Sequence, residues 1–292
     1  MKTAPLEKRS VHWIFVGGDG LRSGWCVALY LSSFILITVV ELWCVKSLHS
    51  GALWSEMLQE FGLLSAALLA SLIMSRIELR SWDAYGLPVR GLFSTPFWIG
   101  AIWGFLALTA LLGGLYGLRV FDLGHLALRG MRIVEFAAFW GLMCLLVGLF
   151  EEFLFRGYAQ FTLARGIGFW PAAAVFSFLW GGLHLITNPG ESWAGALAGF
   201  VMGIFLCLTL QRTGSLWFAV GFHASWDWGE SFLYSVPDSG QIAPGHLLSS
   251  SFHGPRWLTG GSVGPEGSLL CFVVIIVALI MFNRIYPGLT RA

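Results

Sequence analysis

IVEFAAFWGLMCLLVGLFEEFLFRGYAQFTL, residues 133–163, is apolar for long enough to cross a membrane, yet it carries Glu151, Glu152 and Arg156 in its interior. A spanning helix needs about 20 apolar residues. Ionisable groups inside a bilayer cost several kcal/mol unless paired or hydrated, so charge at such a place marks a functional candidate. The rest of the chain agrees with a membrane reading. Of its 292 residues 57% are hydrophobic, 15% aromatic and only 11% charged, against about 25% charged in an ordinary soluble domain. Mean hydropathy is +0.74. The net charge of +1 gives no basic excess, which excludes a nucleic-acid binder. A soluble domain and a disordered chain are excluded by the same composition. The expected fold class is all-α: a polytopic membrane protein with about eight transmembrane helices, in contact with lipid on its outer face.

Seven further segments read as spans: 25–45, 57–74, 97–117, 169–187, 192–211, 214–235 and 268–286. The first is too long for a signal-peptide core and has no small-residue cleavage site, so it reads as a retained helix. The expected organisation is an N-terminal segment 1–24, a single transmembrane domain 25–286 and a tail 287–292. The longest connection, 237–267, is rich in Gly, Pro and Ser and ends in GPRWLTGGSVGPEG, which reads as an ordered, turn-rich loop. With eight spans the two termini share one side. Of the 17 Lys and Arg, only Lys46, Arg119, Arg129, Arg132 and Arg256 fall on the other side. The remaining twelve, or eleven with Arg156 counted inside the membrane, place both termini in the cytoplasm, and the expected location is the cell membrane. Cys26, Cys44, Cys144, Cys207 and Cys271 lie in apolar runs with no CxxC spacing and read as small buried hydrophobes.

Three helices present polar faces. In FEEFLFRGY (150–158) the neighbours Glu151 and Glu152 point about 100° apart on a helix and cannot do the same job. Glu152 stands four residues before Arg156, the favourable order for a pair, which leaves Glu151 free for chemistry. FSFLWGGLH (176–184) puts Trp180 and His184 on one face, with Gly181 and Gly182 allowing close helix approach. FHASWDW (222–228) puts His223 and Asp227 on one face. His223 and Asp227 follow Gly214 by 9 and 13 residues, roughly 13–20 Å into the membrane. Glu151 reaches that depth if its helix continues past Arg156 to about Leu163, with 133–139 as an interfacial lead-in and Gly157 tolerated. A carboxylate beside an imidazole can hold and deprotonate a water. A second imidazole with its neighbour can donate to the oxyanion of an attacked amide. That set suffices for peptide hydrolysis without a Ser or Cys nucleophile, and no G-x-S-x-G or H-E-x-x-H signature occurs.

At these residues the chain resembles the CPBP intramembrane proteases, the CAAX-protease and bacteriocin-processing group also called the Abi family. The pattern EExxxR, then FxxxH, then His followed four positions on by Asn or Asp, corresponds to Glu151–Arg156, Trp180–His184 and His223–Asp227. The resemblance covers about 140–235, with weaker support from the TGGSVGPEG loop. It implies a glutamate-type protease in which Glu151 is the general base, His184 helps hold the water, His223 and Asp227 form the oxyanion hole, and Glu152 and Arg156 are supporting structure. It implies no cofactor, and a membrane-associated protein or peptide substrate of prenylated CAAX or bacteriocin-like type. Two departures stand out. Trp180 replaces Phe, and its larger ring narrows the cavity. An ionised Asp227 cannot donate to an oxyanion, so either it is protonated or it orients His223 and leaves donation to that ring, which is the preferred reading.

Competing readings are a zinc protease with Glu151, His184 and His223 as ligands, a non-catalytic immunity or scaffold protein on the same fold, and a transporter, against which stands the absence of repeats. Glu41, Glu60, Glu135 and Glu230 lie near helix ends and read as snorkelling to water, Glu230 being close to Asp227. His12, His49, His125, His246 and His253 fall in loops or at ends, and the Trp residues read as interfacial anchors.

Overall fold

The computed structural model describes residues 15–18, 20–45, 52–87, 91–188 and 190–287. Most of the N-terminal segment, the tail beyond 287, Lys46, His12 and His49 lie outside the described residues.

The chain is a bundle of apolar helices: α1 (Ser23–Val45), α2 (Ala52–Ile77), α3 (Thr95–Gly117), α4 (Met131–Leu154), α5 (Gln160–Ile167), α6 (Phe169–Thr187), α7 (Trp193–Thr213), α8 (Trp217–Trp228), the single-turn α9 (Arg256–Thr259) and α10 (Leu269–Ile285). Each of the eight apolar segments is helical. Among the described residues six helices, with α4 and α5 taken as one, are long and apolar enough to cross a membrane, and α10 is a shorter apolar helix. The 12-residue α8 is lengthened by a wide π-type turn, Gly229–Tyr234. The protein is thus a polytopic all-α membrane protein. Large side chains such as Leu36, Trp43, Trp98 and Phe178 lie exposed on its outside, where lipid would meet them.

Two local expectations needed correction. The helix carrying the two glutamates does not run smoothly past Arg156. It opens into a π-type turn, Phe155–Ala159, and Gly157 leaves helical geometry at ψ −121°. A Cβ on Gly157 would lie 2.8 Å from the Phe153 ring, so the bend depends on glycine. Such bulges re-aim side chains, and here the turn holds Arg156 fully inside the protein. Of the glycine pair on α6, Gly181 does meet α7, where a Cβ would strike the Ala196 carbonyl, but nothing lies within 4 Å of a Cβ on Gly182.

Helix α3 crosses α8 at close range. Cβ atoms built on Gly100 and Gly104 would collide with the carbonyl oxygens of Phe218 and Phe222, and one on Gly221 with that of Phe97. Small residues are what let membrane helices approach without a hydrophobic driving force. This crossing fixes α8, and with it His223, against the bundle. Gly104→Ala is therefore expected to lower the thermal unfolding midpoint in detergent, through overpacking worth about 1–3 kcal/mol. An unchanged midpoint would refute the steric account.

The 237–267 connection is ordered, as its turn residues suggest. Phe252 and Ser251 pair antiparallel with Phe121 and Asp122, Leu248 bridges Leu126, and Ser250 Oγ donates to the Tyr234 carbonyl. The helix ends sort onto two faces. Arg165 pairs with Glu78 at 2.7 Å, Arg212 donates to Asn283 at 2.5 Å, and Leu216 N just beyond α7 donates to the Gly86 carbonyl beyond α2, so the ends of α2, α5, α7 and α10 lie together. The α6–α7 connection and the 237–267 loop lie at the opposite face.

Candidate active site

Glu151 and Glu152 sit side by side near the end of α4 and do separate things, as helical spacing requires. Glu152 is completely buried and its Oε1 lies 3.1 Å from Arg156 Nη1. The same oxygen accepts from His223 Nδ1 at 2.9 Å. Glu151 forms no ion pair with Arg156; its Oε2 accepts from Trp180 Nε1 at 2.5 Å and stands 3.8 Å from His223 Nε2. Asp227, one turn below His223 on α8, approaches the same Nε2 at 3.4 Å.

This changes the role expected of Asp227. The ring of His223 is oriented at Nδ1 by Glu152 from α4, not by Asp227, because α4 and α8 pack closely enough for the interhelical bond. Asp227 and Glu151 instead share the Nε2 edge. With Nδ1–H committed to Glu152, two carboxylates facing Nε2 call for a proton between them and the ring, on Nε2 or on Asp227.

His184 Nδ1 donates to the Trp180 carbonyl at 2.9 Å, the one-turn contact of their four-residue spacing. In the neutral ring Nε2 is then the acceptor. Trp180 is the hub of the site. Its indole donates to Glu151, its face carries the Arg156 guanidinium at 4.5 Å, and the His184 and His223 rings meet it edge-on at 5.2 and 5.6 Å. A phenyl ring could stack with these groups but could not donate to Glu151.

Glu151, Trp180, His184, His223 and Asp227 all line one cavity of about 660 Å³, the size of a small-ligand site. Its inner wall is apolar, with Met143, Val147, Phe222 and Trp226 among its residues. Its other end lies among the loops, between the α6–α7 connection and the 237–267 loop. Glu56, Glu60, Glu191, Asp238 and Glu266 line it there, and among the described residues no Lys or Arg does. Burial beside Glu266 pushes Asp238 up to about 7. Most of these acids carry no functional signal in the sequence. Glu60 was read as snorkelling to water, but α2 begins five residues earlier than its hydropathy suggests, and Glu60 lines the cavity. Glu230 was read the same way and is instead wholly buried. Glu135 is exposed, in keeping with its reading, whereas Glu41 is half-buried and accepts from Ser65 Oγ at 2.6 Å.

Among the described residues one group of three His, Cys, Asp or Glu side chains has donor atoms within 4.8 Å of one another, namely Glu230, Asp238 and Glu266. The proposed zinc set of Glu151, His184 and His223 does not converge in that way.

A polytopic membrane protein with carboxylates and imidazoles from separate helices facing one cavity is the class defined by this fold and site. Residues 133–229, about a third of the chain, match the family model of type II CAAX prenyl endopeptidase Rce1-like proteins. The match spans Glu151, Glu152, Arg156, Trp180, His184, His223 and Asp227, so the segment bearing the three motifs is similar to a family of membrane endopeptidases. Comparison with curated proteins and with solved structures found no match.

Proposed function

We propose that the chain is an intramembrane endopeptidase that hydrolyses a peptide bond of a membrane-associated substrate with water activated by Glu151. The observation that carries this reading is that Glu151, His184, His223 and Asp227 line a single cavity around Trp180. Water held between Glu151 and the His184 Nε2 acceptor loses a proton to Glu151, and the hydroxide adds to the carbonyl carbon. The oxyanion takes its hydrogen bond from the proton shared by His223 and Asp227. The tetrahedral carbon then expels the amine, which receives the proton from Glu151. Glu152 and Arg156 hold His223 and Trp180 in place and take no part in proton transfer. The deciding experiment is Glu151→Gln, for which hydrolysis is lost in a folded chain.

The substrate classes implied by the family are prenylated CAAX and bacteriocin-like peptides. The acidic end of the cavity lies on the face opposite Arg76, Arg165, Arg212 and Arg284. The positive-inside rule assigns those arginines to the cytoplasm, so the substrate reaches the site from the non-cytoplasmic side. Gln241, exposed at that end, tests this. In a Cys44→Ala background, Gln241→Cys is expected to react with an impermeant maleimide added to intact cells, and Arg284→Cys only after lysis. The reverse pattern would invert the orientation.

A further inference from the structure

Beside the cavity, where its acidic end meets the close of α8, lies a group that the hydrolytic chemistry does not use. Glu230 sits on the π-type turn after α8 with no solvent exposure, and neither of its carboxylate oxygens has a hydrogen-bond partner. One oxygen each from Glu230, Asp238 and Glu266 lie within 4.8 Å of one another. The other two acids are held from behind. Ser231 Oγ donates to Asp238 Oδ2 at 3.0 Å, and Ser239 donates to Glu266 Oε2 from both its backbone N and its Oγ at 3.1 Å. The loop bearing them is closely packed. Gly264 has φ +102°, and a Cβ there would strike the Pro237 carbonyl. Asp238 and Glu266 are therefore delivered to Glu230 by a preformed loop.

We propose that Glu230, Asp238 and Glu266 bind a calcium ion that staples the 237–267 loop to the end of α8. Among the described residues no Lys or Arg lines the adjoining cavity wall, so a bound cation would offset the mutual repulsion of the three carboxylates and let the buried Glu230 stay ionised. An all-oxygen donor set selects a hard one and disfavours zinc, which prefers nitrogen and sulfur. Magnesium dehydrates reluctantly and usually keeps several of its waters, whereas calcium takes several carboxylates in flexible geometry, so three protein carboxylates at one place favour calcium. Asp238 and Glu266 also line the cavity, so the ion fixes the wall past which a substrate would move. This inference goes beyond the hydrolytic reading and does not depend on it.

The test uses the full chain, purified in detergent and stripped with a chelator, with calcium chloride as probe. Equilibrium dialysis with radioactive calcium is expected to give one saturable site per chain. The thermal midpoint is expected to rise by about 5 °C or more at a hundredfold excess over Kd. Magnesium at the same concentration should give a clearly smaller rise. Glu266→Gln and Asp238→Asn should each abolish the rise while unfolding no earlier than the stripped wild type, since each removes an uncompensated charge. Absence of saturable binding overturns the proposal. So does an equal response to magnesium, or a calcium response that survives both substitutions and so belongs to other acids such as Glu56 or Glu191. None of these readouts requires cleavage of a substrate, so failure of the protease assignment leaves the result interpretable.

Discussion

Glu151→Gln is expected to reduce turnover by about 10²–10⁴-fold, the usual contribution of a positioned general base, while leaving KM and the unfolding midpoint nearly unchanged. The amide is isosteric with the carboxylate, and its oxygen still accepts the Trp180 Nε1 hydrogen bond that positions Glu151. What it loses is the capacity to take a proton from water. Because Glu151 forms no ion pair with Arg156 and is partly open to the cavity, with 17% of its side chain exposed, neutralising it leaves Arg156 paired with Glu152. The expected signature is thus a fall in kcat without loss of binding. It is measured by single-turnover cleavage of a membrane-reconstituted substrate, with folding checked by thermal melting. Retained turnover in a folded variant would remove the water-activation mechanism.

Much of this site is legible in the sequence, because two of its signals are strong. Long apolar runs are costly to place anywhere except in a membrane, and each of them is helical. Charges and imidazoles inside such runs stand out against the apolar background, and four-residue spacing correctly pairs Glu152 with Arg156 and Trp180 with His184. Partners on different helices carry no such spacing. The bond from His223 to Glu152 depends on how closely α4 approaches α8, so the sequence favours Asp227, the nearer residue along the chain, as the orienting group. The indole bond from Trp180 to Glu151 is hidden for the same reason, and Trp180 reads as bulk rather than as a donor. The bend at Gly157 is hidden because a lone glycine is commonly tolerated inside membrane helices. The acids at the outer end of the cavity come from α2, from the α6–α7 connection and from a loop with no periodicity. Only the GPEG turn, and the closeness of Glu230 to Asp227, gave any hint of them.

Arg156→Met is expected to destabilise the chain by about 3–5 kcal/mol, the cost of leaving a buried charge without its partner, and to lower the thermal midpoint on the order of 10 °C. Arg156 is 1% exposed and Glu152 is not exposed at all, so no water takes over when the guanidinium is removed. His223 remains beside Glu152, but its Nε2 already faces two other carboxylates. Arg156→Lys should fall between the two, because an ammonium keeps the charge and loses the flat contact over Trp180. The double variant Glu152→Gln with Arg156→Met is expected to recover much of the lost stability, because it removes both charges and a Gln oxygen still accepts from His223 Nδ1. That recovery separates an ion pair from simple packing: if the two substitutions destabilise additively, Arg156 acts through its bulk and stacking.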